Sequence, residues 1–192
     1  MRFAQFGIDE KQGEPIIATV VVNLNVRQDM NPYQKLLLDR GWVDANGQVR
    51  HPHDEESLQK MFRDFLGAEL ISSFDSCVTN AQDFVLSPEI KTKATPGSVV
   101  YEEEKEFRSE LSSLTDEEKS AVCRLLYRVA KQTMFSALVG FDQFPGGELS
   151  MRVDPSTCDG PKKKIQIHPG FLDLHDEFYG WLSDFSQIKD EA

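Results

Sequence analysis

Long apolar runs are missing from this chain of 192 residues. The longest wholly apolar stretch is only a few residues, far short of the about 20 that a membrane-spanning helix needs. Asp9, Glu10 and Lys11 interrupt the N-terminal segment before a signal-peptide core could form. A soluble protein of the cytosol is therefore predicted. Cysteine is scarce as well. Cys77, Cys123 and Cys158 are odd in number and widely spaced, which excludes a disulfide framework and any CxxC pair for zinc or redox work. Cys77 and Cys123 fall in apolar helical stretches and are predicted to be buried structural thiols.

Positive charge is the third shortage. There are 21 Lys+Arg against 32 Asp+Glu, a net charge of −11, and both halves of the chain share the acid excess. A phosphate backbone needs a basic surface to release its counterions, and an anionic bilayer needs one to attract. No nucleic-acid partner and no membrane partner is predicted. Lys162-Lys163-Lys164 is the only basic run, without interleaved aromatics, and fits lysines that protect a strand edge.

Catalytic signatures are absent too. The chain has no GxSxG, HExxH or GxGxxG, and Pro145-Gly146-Gly147-Glu148 lacks the GK[ST] ending of a phosphate loop. Asp44-Ala45-Asn46-Gly47 resembles part of a calcium loop, but Trp42 and His53 stand where its first and last ligands belong. No cofactor is predicted, and the balance leans away from an enzyme.

What is present is globular: 40% hydrophobic and 28% charged residues, suited to a single domain with a two-lobe boundary at the loop 87–98. Ile16 to Val22 is short and β-branched, which predicts a buried strand. Asn31-Pro32 opens a short helix that Gly41 stops, and Asn46-Gly47 predicts a hairpin between Trp42-Val43 and Gln48-Val49-Arg50. Apolar residues at helical spacing run from Leu58 to Val85, read as two helices or one bent helix with Gly67 as the break. Thr115 and Glu118 form a capping box for a helix reaching Gly140. Past Gln132 that helix is apolar on almost every side, which predicts the central, wholly buried helix. Residues 148–153 and 163–167 read as two strands. A last helix, from about Pro169 to Ile188, turns Phe171, Leu174, Phe178, Trp181, Leu182 and Phe185 to one side. The predicted fold is α+β: predominantly helical, with helices packed on a small, mainly antiparallel sheet.

Two sets of residues could carry function. The acidic stretch Glu102, Glu103, Glu104 and Glu106, with the face Asp173, Asp176 and Glu177, would suit a protein partner with a basic surface. Such a module would occlude its partner, in the manner of a bacterial immunity-type protein that neutralises a toxin. The alternative is a small metal-dependent hydrolase. His51-Pro52-His53-Asp54 offers an HxH step in which His51 and His53 could share a metal with Asp54. The chain is shorter than the about 250 residues of a typical barrel hydrolase. Only His168 and His175 remain as further imidazoles, so the metal reading needs one of them beside the HxH step. A small-molecule pocket between sheet and helices is a third option, without a polar ligand set to support it.

Overall fold

A computed structural model describes residues 31–45, 49–50, 52, 54–87, 89–90, 93–143 and 173–188 in full, and 17–22, 148–153 and 164–167 as backbone alone. Of the fully described residues 77% are helical, in five helices, and none lies in a strand. The helices are α1 (Pro32–Asp39), α2 (Glu55–Leu86), α3 (Val99–Ser112), α4 (Asp116–Asp142) and α5 (Leu174–Phe185).

Local chemistry sets most of the helix ends. Asn31 Oδ1 accepts from Gln34 N at 2.8 Å while Gln34 Oε1 accepts from Asn31 N at 3.2 Å, a reciprocal cap ahead of Pro32. Gly41, at φ +78°, follows the end of α1 in the left-handed region that glycine enters without strain. Asp54 Oδ1 accepts from Ser57 N at 2.8 Å, and Glu55 and Glu56 occupy the first turn of α2. Thr115 Oγ1 accepts from Glu118 N at 3.3 Å, and Glu118 Oε2 accepts from Thr115 N at 2.8 Å, so the capping box of α4 forms as its sequence requires. The Thr115 N–H and hydroxyl hold the Glu118 carboxyl below its ordinary pKa.

The α+β expectation is overturned. Among the fully described residues the secondary structure is helical, with no strand for the helices to form an α+β layer on. The strands described as backbone are β1 (Ile17–Val22), β2 (Glu148–Val153) and β3 (Lys164–Ile167). β1 runs parallel to β2, with Ile17 opposite Glu148, and β2 runs antiparallel to β3, with Leu149 opposite Ile167. One of the two ladders is parallel, so this is not the mainly antiparallel sheet predicted either. Val43 and Val49 form an isolated antiparallel bridge. The Asn46-Gly47 turn between them lies outside the described residues.

The chain divides into two compact units. One holds α1, α2 as far as Ser73, α4 from Phe135, and α5. The other is Phe74–Met134, and the loop 87–98 lies inside it. In the first unit α2 is the central element. Met61, Phe62, Asp64, Phe65, Leu66, Gly67 and Ala68 are all buried, so this stretch has neighbours on almost every side. α5 supplies one of them through Leu174, Phe178, Trp181 and Phe185, each at most 4% exposed. Four such side chains removed from water contribute roughly 1.5–3 kcal/mol each before the entropy of ordering them.

Three further expectations change. α2 is a single helix of 32 residues, and Gly67 does not break it. A Cβ at Gly67 would lie within 3.0 Å of Trp181 Cδ1, Nε1 and Cγ, so the glycine is the slot that receives the indole. Seating the ring there leaves Trp181 Nε1 buried without a hydrogen-bond partner among the described residues. α4 is not the central helix: only Tyr127 and Leu138 are buried along it, while Leu125, Val129 and Phe141 are 60%, 55% and 42% exposed. Its apolar composition fixes what it could bury, not what is buried. Cys77 is exposed and Cys123 half-buried. Burial pushes the Cys123 thiol pKa up.

Gly67→Ala separates the two accounts of this glycine. In an open helix alanine would stabilise by about 1 kcal/mol. Against the Trp181 ring the added methyl should instead cost about 1–3 kcal/mol, read as a fall in the urea midpoint at unchanged slope. A midpoint that rises would remove the slot.

Candidate functional site

The first unit contains a buried polar cluster that the sequence did not announce. Asp64 lies on the enclosed part of α2, its side chain 3% exposed. Arg40, just past α1, donates from Nη1 to Asp64 Oδ1 at 2.6 Å, and Trp42 Nε1 donates to Asp64 Oδ2 at 2.6 Å. The other arm of Arg40 donates to Asp184 Oδ2 on α5 at 2.8 Å, and its guanidinium stands 4.6 Å from the centre of the Phe185 ring. Burial opposes the Arg40 charge. The hydrogen bond to Asp184 and the charges of Asp64 and Asp184 outweigh it and raise the pKa above its ordinary value. Every group in the cluster is engaged by another, and its geometry is that of a clamp joining three segments.

A second cluster joins the end of α4 to the start of α5. Asp173, the residue before α5, makes no side-chain cap. Asp142 from α4 replaces it: Oδ1 accepts from Leu174 N at 3.0 Å and Oδ2 from His175 N at 3.0 Å. His175 Nδ1 is 2.7 Å from Asp142 Oδ2, Nε2 is 3.4 Å from Asp176 Oδ1, and Phe135 meets the imidazole edge-on. The hydrogen bond to Asp142 raises the His175 pKa above 6.5. Burial works against it, and the charges of Asp176, Asp142 and Asp173 add to it. The imidazole is thus spent on a helix cap.

His51, His53 and His168 lie outside the described residues. Asp54 is described, and its carboxylate caps α2. Among the described residues no three of His, Cys, Asp and Glu gather as metal ligands.

The acidic residues separate into engaged and available. Glu104 is taken by Arg108, whose Nε donates to Glu104 Oε1 at 2.7 Å. The same guanidinium, 5% exposed as a residue, donates to Ser87 O at 2.7 Å and Phe84 O at 3.3 Å and lies 4.1 Å from the centre of the Phe84 ring. It closes the carbonyl end of α2, where a cation is favoured. Glu102 pairs with Lys105 at 3.5 Å. Glu177 lies 2.9 Å from Arg63 Nε, outside hydrogen-bond alignment. Asp173 is exposed, and Asp176, whose side chain is 75% exposed, touches only the rim of His175. Glu103 and Glu106 are exposed, with no ion pair among the described residues.

Those two glutamates share the outer face of α3 with apolar neighbours. Val99, Val100 and Phe107 are 73%, 59% and 51% exposed. At about 100° per residue, Val99, Glu103, Glu106 and Glu110 form one line with Val100 and Phe107 beside it, opposite the inward-facing Arg108. This pairing of carboxylates with apolar anchors is the arrangement best suited to recognition among the described residues. The sequence exposed the acids, but not the apolar side chains left uncovered between them.

No protein-family model, no curated protein and no solved structure matches the chain. No helix among the described residues is long and apolar enough to cross a membrane.

Two measurements probe these clusters. Asp64→Ala leaves the Trp42 N–H without its acceptor and half of the Arg40 pair unmet, and should cost about 3–5 kcal/mol in equilibrium unfolding; a loss under about 1 kcal/mol would mean that the clamp is a surface contact. For His175, the folded pKa is the raised one. Its contribution is complete below 6.5 and declines as pH climbs through the folded value. Unfolding midpoints followed across that window should therefore fall with rising pH, and the NMR titration of the imidazole should move back toward 6.5 in Asp142→Asn. A titration unaffected by that substitution would dissociate the histidine from the cap.

Proposed function

We propose that this chain is a non-enzymatic protein-binding module that presents an acidic and apolar surface to a basic partner and occludes it, as toxin neutralisation would require. The observation that carries the reading is the outer face of α3, where Glu103 and Glu106 stand without ion pairs among the described residues beside Val99, Val100 and Phe107. Exposed carboxylates steer a basic surface and fix its register, while uncovered apolar side chains supply the dewetted centre that holds it. The net charge of −11 favours encounter with such a partner over distances beyond contact. Asp173 and Asp176 form a separate exposed acidic pair. The exposed free thiol of Cys77 suits a reducing compartment such as the cytosol.

The test is affinity capture with the intact chain at low and high salt, beside a Glu103→Lys/Glu106→Lys chain of equal stability. A stoichiometric basic protein should be held at low salt, be released at high salt, and be lost with the double substitution. Recovery of nothing stoichiometric at either salt removes the proposal.

A further inference from the structure

α3 is anchored from within. Its inward residue, Arg108, is buried against the Phe84 ring and the last carbonyls of α2. Phe107 leans on the same Phe84 ring, 5.6 Å between centres, and still keeps 51% of its surface in water. That ring is held outward and is not free to fold away. An apolar group already fixed in place costs little to engage.

The outward side of α3 carries two rows. At about 100° per residue, Glu103, Glu106 and Glu110 form one row opposite Arg108. All three are exposed, without ion pairs among the described residues. Val100, Phe107 and the half-buried Leu111 form a second row, about 90° further round and about 16 Å long. On the other flank of the acids Glu102 is paired with Lys105, so the apolar row borders the glutamates on one side only.

The geometry points to one kind of occupant: a basic amphipathic α-helix of a partner protein, laid along α3. Its arginine or lysine row would lie on the glutamates and its apolar row on Val100 and Phe107. The inference rests on the reading of α3 as a surface for a basic partner and states the form that partner takes. Charge complementarity requires the cations. The two rows require the helix. An extended segment turns successive side chains to opposite faces, so it offers α3 a single row. It can follow the acids or the apolar side chains, not both along their length. A helix shows residues at i, i+3 and i+7 as one row and their neighbours as another beside it, with the same rise of about 1.5 Å per residue that spaces the glutamates. Helices paired through an apolar seam edged by charge use this arrangement. A contact one helix wide is small, so the affinity should be about micromolar and salt-dependent.

Three synthetic peptides of about 20 residues, added to the intact chain and followed by fluorescence anisotropy, supply the test. In the first, arginine and leucine form rows side by side on a helix. The second has the same composition with the two residues alternating, so that it is amphipathic only as a strand. The third is the first with glutamate for arginine. The first should bind, turn helical by circular dichroism, and weaken at least about tenfold from low to high salt. The second should bind at least about tenfold more weakly. Glu103→Lys/Glu106→Lys/Glu110→Lys should lose the first peptide by more than about tenfold and gain the third, a recovery that misfolded protein cannot give. Val100→Ser, at a site 59% exposed, should weaken the first peptide at both salts. A first peptide that does not bind, binds no better than the second, or ignores either substitution overturns the helical occupant. If both basic peptides bind equally through the glutamates, the acidic-face function survives without it. If neither binds and affinity capture recovers nothing, both fall.

Discussion

Burying a carboxylate as completely as Asp64 is buried costs several kcal/mol unless its partners replace the water it loses. Here they do so from two directions, the Arg40 guanidinium on one oxygen and the Trp42 indole on the other. Because Arg40 also holds Asp184, the satisfaction of one charge inside α2 fixes the segment after α1 and the C-terminal end of α5. The apolar contacts of the first unit are non-directional and would tolerate sliding. The Asp64 cluster does not, since its short bonds fit one register of α5 along α2. The Gly67 slot is consistent with that register: it admits the Trp181 ring only where the glycine stands.

The two units solve the same problem differently. In the first, α2 is enclosed and its neighbours are aromatic. In the second, the tail of α2 is held by a cation: Arg108 collects two carbonyls, a ring and the Glu104 carboxylate. A unit closed by a polar anchor buries less apolar surface, and the remainder stays on the outside of α3 and α4. Exposed apolar area of that kind is the surface on which the proposed recognition rests.

Features governed by near neighbours were legible in the sequence. The Thr115–Glu118 cap depends on residues three apart and formed as written, and α1 opens after Asn31 as read, with a reciprocal bond to Gln34 that the reading did not name. The α5 stripe of Leu174, Phe178, Trp181 and Phe185 was visible from spacing and is buried. Features governed by distant partners were not. Gly67 read as a break because glycine is a weak helix former, whereas a ring from α5 explains it. The apolar run past Gln132 read as a buried centre, but composition cannot name a neighbour, and only Leu138 in that run is enclosed. The helical stripes looked like the cover of a sheet because a stripe has the same spacing whether a sheet or another helix lies beneath it. For the candidate site, the acids of α3 were plain. The withdrawal of Glu104 into the grip of Arg108 and the exposure of Val99, Val100 and Phe107 were not.

The Asp142 carboxylate has one more consequence. A helix as short as α5 is marginal on its own, and the residue before it leaves the first amides unmet. Those amides are received by a side chain 32 residues earlier in the chain. The opening turn of the last helix and the closing turn of its predecessor thus make a single cooperative event: fraying at either end strips the other of its anchor, and neither can loosen alone.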